Sequence, residues 1–172
     1  MRKSPILAIA LLLTACAGSP DNHYFTLSAV APSQTAARTL PPLHLTAVRL
    51  PELYDRPQMV TRTGPQSVDI DEYDRWAEPL ERMATRILAQ DVAARRPGGG
   101  SPLPATVLID EFGADRSGTA RLSGTWKIID SDGTARSGAF ALTEPSGSDP
   151  AAAAAAMSAL LGKLADDIDR RP

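Results

Sequence analysis

Two stretches of this chain concentrate the residue types that carry chemistry. One is Tyr54-Asp55-Arg56-Pro57-Gln58-Met59-Val60-Thr61-Arg62; the other is Tyr73-Asp74-Arg75-Trp76-Ala77-Glu78-Pro79-Leu80-Glu81. Each sets a phenol, a carboxylate and a guanidinium side by side, a grouping that suits an active site, a docking surface, or turn and cap chemistry. The remaining inventory argues against catalysis. The two histidines, His23 and His44, fall in or beside expected strands, and no HExxH or metal-ligand spacing is present. There is no G-x-S-x-G elbow, P-loop or dinucleotide fingerprint, and Gly98-Gly99-Gly100 precedes no phosphate-binding helix. Asp69, Asp71, Glu72 and Asp74 form an acidic cluster without the loop glycine of an EF-hand, and Asp74 reads more simply as a helix cap. Asp166, Asp167 and Asp169 read as a solvated helix face, with Arg170 and Arg171 complementing the helix C-terminus. The expectation is a protein with no catalytic residues, no metal and no cofactor.

The start of the chain explains where such a protein works. Arg2 and Lys3 precede an apolar run, Ile6 to Leu13, which is too short for a bilayer core of about 30 Å. The run reads as the h-region of a secretory signal peptide, and the LTAC that follows resembles a bacterial lipobox. That resemblance implies removal of residues 1–15. It also implies a diacylglycerol and an acyl chain such as palmitate on Cys16, the one cysteine in the chain. Each buried acyl CH₂ contributes about 0.8 kcal/mol, so several long chains hold a protein on a membrane where one does not. Ala17, where an Asp would favour retention, points to the outer membrane rather than the inner. Residues 16–22, small and polar, form the lipidated tether, and 23–172 the single domain. Loss of Arg2 and Lys3 leaves 16 of the 18 basic residues against 20 acidic ones, a net charge of −4, which argues against nucleic acid as a partner. With Cys16 acylated no thiol remains for a disulfide, so the core alone must hold the domain together.

The hydrophobic period locates the elements. Strands are expected at His23 to Leu27, Leu43 to Leu50, Met59 to Arg62 and Ser67 to Asp71, with a Pro-rich loop from Ala31 to Pro42. Trp76, Leu80, Met83, Ala84, Ile87 and Leu88 recur at helical spacing, so a helix should begin near Glu78 or Pro79, capped by Asp74 and ended by Arg96. Period two returns at Thr106 to Phe112. It is clearest where Leu122, Gly124, Trp126 and Ile128 share one face, and a turn at Asp132-Gly133 leads to Ala135 to Thr143. Asp149-Pro150 is a helix start, followed by the stripe Met157, Leu160, Leu161, Leu164 and Ile168. The order predicts an α+β domain, a mostly antiparallel sheet with two helices packed on one face.

LPELYDRPQMVTR followed by DEYDRWAEPLERMATRILAQDVA is similar to the signature of the ABC-type transport auxiliary lipoproteins, the PqiC/YmbA type, and Tyr24-Phe25-Thr26-Leu27 resembles the family's YTL strand with one residue inserted. Met59 stands where a β-branched residue is common, and the acidic DIDEY before the helix is a second departure that bears on partner choice. The resemblance implies a non-enzymatic, periplasm-facing lipoprotein acting with an MCE-domain protein and, through it, an inner-membrane permease and ATPase. Such systems move lipids or other hydrophobic molecules across the envelope and support membrane integrity. A homo-oligomeric ring suits a component that meets a ring-shaped partner. The alternative is a carrier holding a lipid in its own cavity, which few aromatics (5%) and two short helical stripes disfavour. Asp55, Pro57, Asp74, Trp76 and Pro79 read as architecture, and Tyr54, Arg56, Gln58 and Arg62 as candidates for partner contact.

Overall fold

The long strand Leu103–Asp115, β5, is the spine on which the other strands assemble. The computed structural model describes residues 21–32 and 40–170; Cys16, the lipobox and most of the tether lie outside the described residues. In chain order the remaining elements are β1 (His23–Phe25), β2 (Leu43–Arg49), β3 (Gln58–Gly64), β4 (Ser67–Trp76), α1 (Leu80–Arg95), β6 (Thr119–Ile129), β7 (Ala135–Pro145) and α2 (Pro150–Arg170). On one edge β5 pairs antiparallel with β6, which pairs antiparallel with β7. Its other edge is shared: β2 runs parallel along Leu103 to Leu108, and β3 meets it in parallel at Ala114 and Asp115. The β3–β4 hairpin and the short parallel strand β1 complete a seven-stranded sheet.

The α+β class and the dominance of antiparallel pairing agree with the sequence. The parallel pairs formed by β1 with β4, and by β5 with β2 and β3, are the difference. The two pairs of β5 arise because α1 returns the chain to the start of the sheet before β5 begins, so β5 retraces the direction of β2 and β3.

Both helices cover one face. Met83, Ile87 and Leu88 of α1 and Leu160, Leu161 and Leu164 of α2 are buried in one core with Val107, Leu122 and Ile128 of the sheet. Each such side chain removed from water contributes about 1.5–3 kcal/mol. Asp149 caps α2 as its sequence suggests: its carboxylate oxygens accept the N–H groups of Ala151 (3.0 Å) and Ala152 (3.1 Å), with Pro150 in the first helical position. The acidic residues at the other end of α2 are a correction. Asp166 accepts from Arg95 Nε at 2.5 Å, and Asp169 lies 3.3 Å from Arg96, so two carboxylates read as a solvated face instead clamp two buried arginines. Asp91 joins this network by accepting the Val30 N–H at 2.8 Å, and burial pushes its carboxyl above the usual range. Single-helix periodicity carries no sign of these contacts, because they join two helix ends 71 residues apart in sequence.

A bulge in β5 keeps the long strand facing the core throughout. Pairing steps from Ile109 with Gly124 to Glu111 with Ser123, leaving Asp110 without a cross-strand partner. Before the bulge Leu103, Ala105, Val107 and Ile109 are buried; after it the even positions Phe112 and Ala114 turn inward. Gly124 sits opposite because a Cβ there would lie 2.1 Å from the Leu108 carbonyl oxygen, a backbone clash that no rotamer change relieves. Gly124→Ala is therefore expected to destabilise the fold by about 3 kcal/mol or more in urea titration. Gly99→Ala, with nothing within 4 Å of its added Cβ, should stay within about 0.5 kcal/mol.

Candidate functional site

The two YDR stretches are far apart in sequence and meet in one clasp. After β2, Pro51 turns the chain: its carbonyl accepts the N–H of Tyr54 at 2.9 Å and of Asp55 at 3.3 Å. That turn drives Tyr54 into the core, 5% exposed, and leaves Asp55 outside. The Asp55 carboxylate accepts the Glu81 N–H at 3.1 Å, at the start of α1. Glu81 replies with its own carboxylate, which takes the Leu50 N–H at 3.3 Å and Arg49 Nη1 at 3.0 Å. Between these contacts the Trp76 N–H donates to the Pro57 carbonyl at 2.7 Å and Gln58 pairs with Arg75. The Ala77 N–H donates to Phe25 at 2.9 Å, which ties in β1.

This geometry corrects the reading of Asp74 as the cap of α1. The regular helix begins at Leu80, the preceding Pro79 makes no side-chain cap, and Asp74 lies in β4 with its carboxylate 2.9 Å from His23 Nδ1. Trp76 likewise ends β4 rather than opening the helix, although it is buried as its apolar spacing requires. The cap comes from the other motif, 26 residues earlier, a link that no local spacing rule reveals. The neighbouring acids are also occupied. Asp71 accepts the N–H groups of Tyr73 and Asp74, both at 2.8 Å, within an irregular turn of β4, and Asp69 pairs with Arg116 at 3.1 Å. Among the described residues no group of three or more His, Cys, Asp or Glu side chains could hold a metal ion.

The four partner-contact candidates divide. Tyr54 and Arg62 come together: Arg62 Nη2 donates to the Tyr54 hydroxyl at 3.2 Å and Nε to Glu111 at 2.9 Å, with Nη1 3.4 Å from the Pro65 carbonyl. Gln58 and Arg56 stand apart from that network. Both are half-buried, and the buried Arg56 Nε has no acceptor among the described residues. Glu81, Glu111 and His23 enter the site only through the fold. Glu81 alone carried a signal, as an acidic residue in the first turn of the expected helix.

Beside the clasp, between the β3–β4 ribbon and the start of α2, lies a cavity of about 130 Å³. Trp76, Phe112, Ala153 and Met157 form its apolar floor, and Asp71, Asp74, Asp115 and Asp149 stand around it. The Asp115 carboxyl is held below the usual range, first by the Ser117 hydroxyl and then by the Thr119 N–H and Arg121.

Two outcomes follow for the clasp and the cavity. Asp55→Ala should cost about 1 kcal/mol of unfolding free energy, and Asp55→Asn much less because the amide oxygen still accepts the Glu81 N–H. Carboxyl-carbon NMR should place the Asp115 midpoint below the free-aspartate value of about 3.9. Its folded pKa is depressed, so its stabilisation is present above that value and is lost as pH falls through the folded midpoint.

The comparisons with known proteins agree with this architecture. A crystal structure of an uncharacterized protein superposes with a TM-score of 0.73 at 18% identity, covering 88% of this chain and 98% of the other. A protein from Xanthomonas campestris superposes with a TM-score of 0.69 at 19% identity, covering 85% of this chain and 92% of its own. At those identities the likeness shows the fold alone. No curated protein matches the sequence. The family described as ABC-type transport auxiliary lipoprotein component matches residues 25–169, a span that runs from β1 through the clasp almost to the end of α2, and the chain belongs to that family.

Proposed function

We propose that this chain is a non-enzymatic docking component of an envelope transport system that moves lipids or other hydrophobic molecules. Residues 1–15 are removed, Cys16 carries the acyl chains, and residues 16–22 tether the domain to the outer membrane on its periplasmic side. There it engages an MCE-domain protein and, through it, an inner-membrane permease and ATPase. Tethering raises the effective concentration of such a partner without adding contacts. Membership of an auxiliary lipoprotein family supports the transport role. No helix among the described residues is long and apolar enough to cross a membrane, so a lipid anchor is a natural means of attachment.

The observation that carries the docking role is the size of the cavity. Ligand sites that enclose drug-sized molecules run from about 300 to 1,000 Å³. The cavity beside the clasp is about 130 Å³, and the larger grooves, at Arg62 and Glu111, at Glu81 and Arg86, and at Arg96 and Asp130, are lined by charged side chains. The apolar residues are used in closing one core, so the domain acts through its surface.

In cells, Cys16→Ala is expected to release the protein from the membrane fraction and to abolish its crosslink to an MCE-domain protein. Arg56→Ala and Gln58→Ala should weaken that crosslink while leaving the melting temperature unchanged. A crosslinking survey that finds no MCE partner sinks the reading. A lipid retained at one-to-one stoichiometry in native mass spectra would establish the carrier role in its place.

A further inference from the structure

The acidic cavity beside the clasp has features that name its occupant. Its floor is apolar and buried: Phe112 is 1% exposed, Met157 2% and Trp76 5%. Its volume, about 130 Å³, is close to that of an engineered cavity of about 150 Å³ that takes benzene. One aromatic or leucine side chain fits; a phospholipid acyl chain does not. Four carboxylates, Asp71, Asp74, Asp115 and Asp149, line the same cavity. Arg116 lines it too but pairs with Asp69, Asp115 pairs with Arg121, and Asp74 holds His23, which leaves Asp71 and Asp149 without a cationic partner in these ion pairs. Field lines from Asp71 and Asp149 favour a cationic visitor and oppose an anionic headgroup.

We propose that this cavity receives a single apolar side chain presented by a basic segment of a partner protein, with the flanking cations meeting Asp71 and Asp149 at the mouth. Three features make the assignment. The volume limits the anchor to one side chain, the floor demands that it be apolar, and the carboxylates demand that its neighbours be basic. An apolar anchor in a desolvated pocket ringed by charged contacts is the usual anatomy of an interface hot spot. Asp71 and Asp149 are exposed, yet each already holds backbone N–H groups, which fixes its carboxylate in place before the partner arrives. The proposal rests on the docking reading and adds to it the chemistry of the segment that docks.

The test uses the acylated protein purified in detergent and a fluorescein-labelled nonapeptide with one central phenylalanine flanked by lysines. Because it needs no envelope partner, its failure is separable from a failed crosslink in cells. Binding should be saturable, fall as salt rises, and shift the indole signal of Trp76 in NMR spectra. Replacing the central phenylalanine by alanine, or filling the cavity with Ala153→Phe, should each weaken binding by about tenfold or more. Asp71→Asn keeps the one oxygen that accepts both backbone N–H groups and Asp149→Asn keeps one of its two cap bonds, so the fold persists while affinity falls several-fold and its salt dependence flattens. The double amide variant keeps the test decisive should Ala153→Phe fail to fold. The proposal is overturned if the lysine–phenylalanine peptide does not bind, if it binds no better than its alanine version, or if the amide variant binds it unchanged. It is equally overturned if dihexanoyl phosphatidylglycerol, and not the peptide, shifts the Trp76 signal.

Discussion

The linked hydrogen bonds of the Asp55 and Glu81 carboxylates are the constraint around which the ends of β2 and β4 and the first helix are arranged. Helix α1 starts directly after Pro79, a residue that has no side-chain acceptor to offer the first-turn N–H groups. Asp55 supplies that acceptor from another part of the chain, and Glu81 returns the bond to the Leu50 N–H at the end of β2. Two backbone donors that would otherwise go unpaired are satisfied by one pair of carboxylates, as in a capping box divided between distant segments. Because Trp76 and Ala77 also bond to Pro57 and Phe25, four elements are fixed at one junction: the ends of β2 and β4, the start of α1, and β1. Removing any one contact loosens the entry of the chain into α1, so the repeated motif is a single architectural unit.

Around that junction the long strand β5 solves a second problem. It must pair with β2 over its first half and meet β3 at its far end while keeping one apolar face on the helices. An uninterrupted thirteen-residue strand would hold one parity throughout, and Phe112 and Ala114 would then face away from the core. The bulge at Asp110 changes parity midway, and Gly124 supplies the room it requires. The buried arginines at the far end of α1 then lock the two helices together, with Asp166 and Asp169 as partners. A charge removed from water needs this pairing to be tolerated at all.

Much of this was legible in the sequence. The alternation at Leu122, Gly124, Trp126 and Ile128, the Asp149-Pro150 helix start and the apolar stripes of both helices rest on local periodicity, and each appears as expected. What the sequence concealed were contacts between distant segments. Asp74 looked like a cap because it precedes a helical stripe, yet β4 extends through it and gives its carboxylate to His23. The acids on α2 looked solvated because their arginine partners lie on another helix. Gly124 did carry a local signal, since a glycine inside an alternating strand marks a bulge or close backbone approach. The candidate site was half legible. The motifs announced that something was built there, but only the fold joins them and opens the cavity against Trp76.

That cavity changes how the absence of catalytic motifs is to be understood. On the proposed docking reading the domain acts by being in the right place and recognising the right surface. The clasp positions Trp76 rigidly because its backbone N–H is bonded to Pro57, so the cavity floor belongs to the same construction that starts α1. The acids of the irregular turn in β4 serve twice. Asp71 satisfies the N–H groups that the turn leaves unpaired, and it places a fixed negative charge beside an apolar opening. Fixed charge next to a pre-formed apolar pocket lowers the ordering cost of association, which is how a small contact becomes selective. On that reading the residues that resemble catalytic machinery work through hydrogen bonds and charge placement, holding one surface ready for a partner.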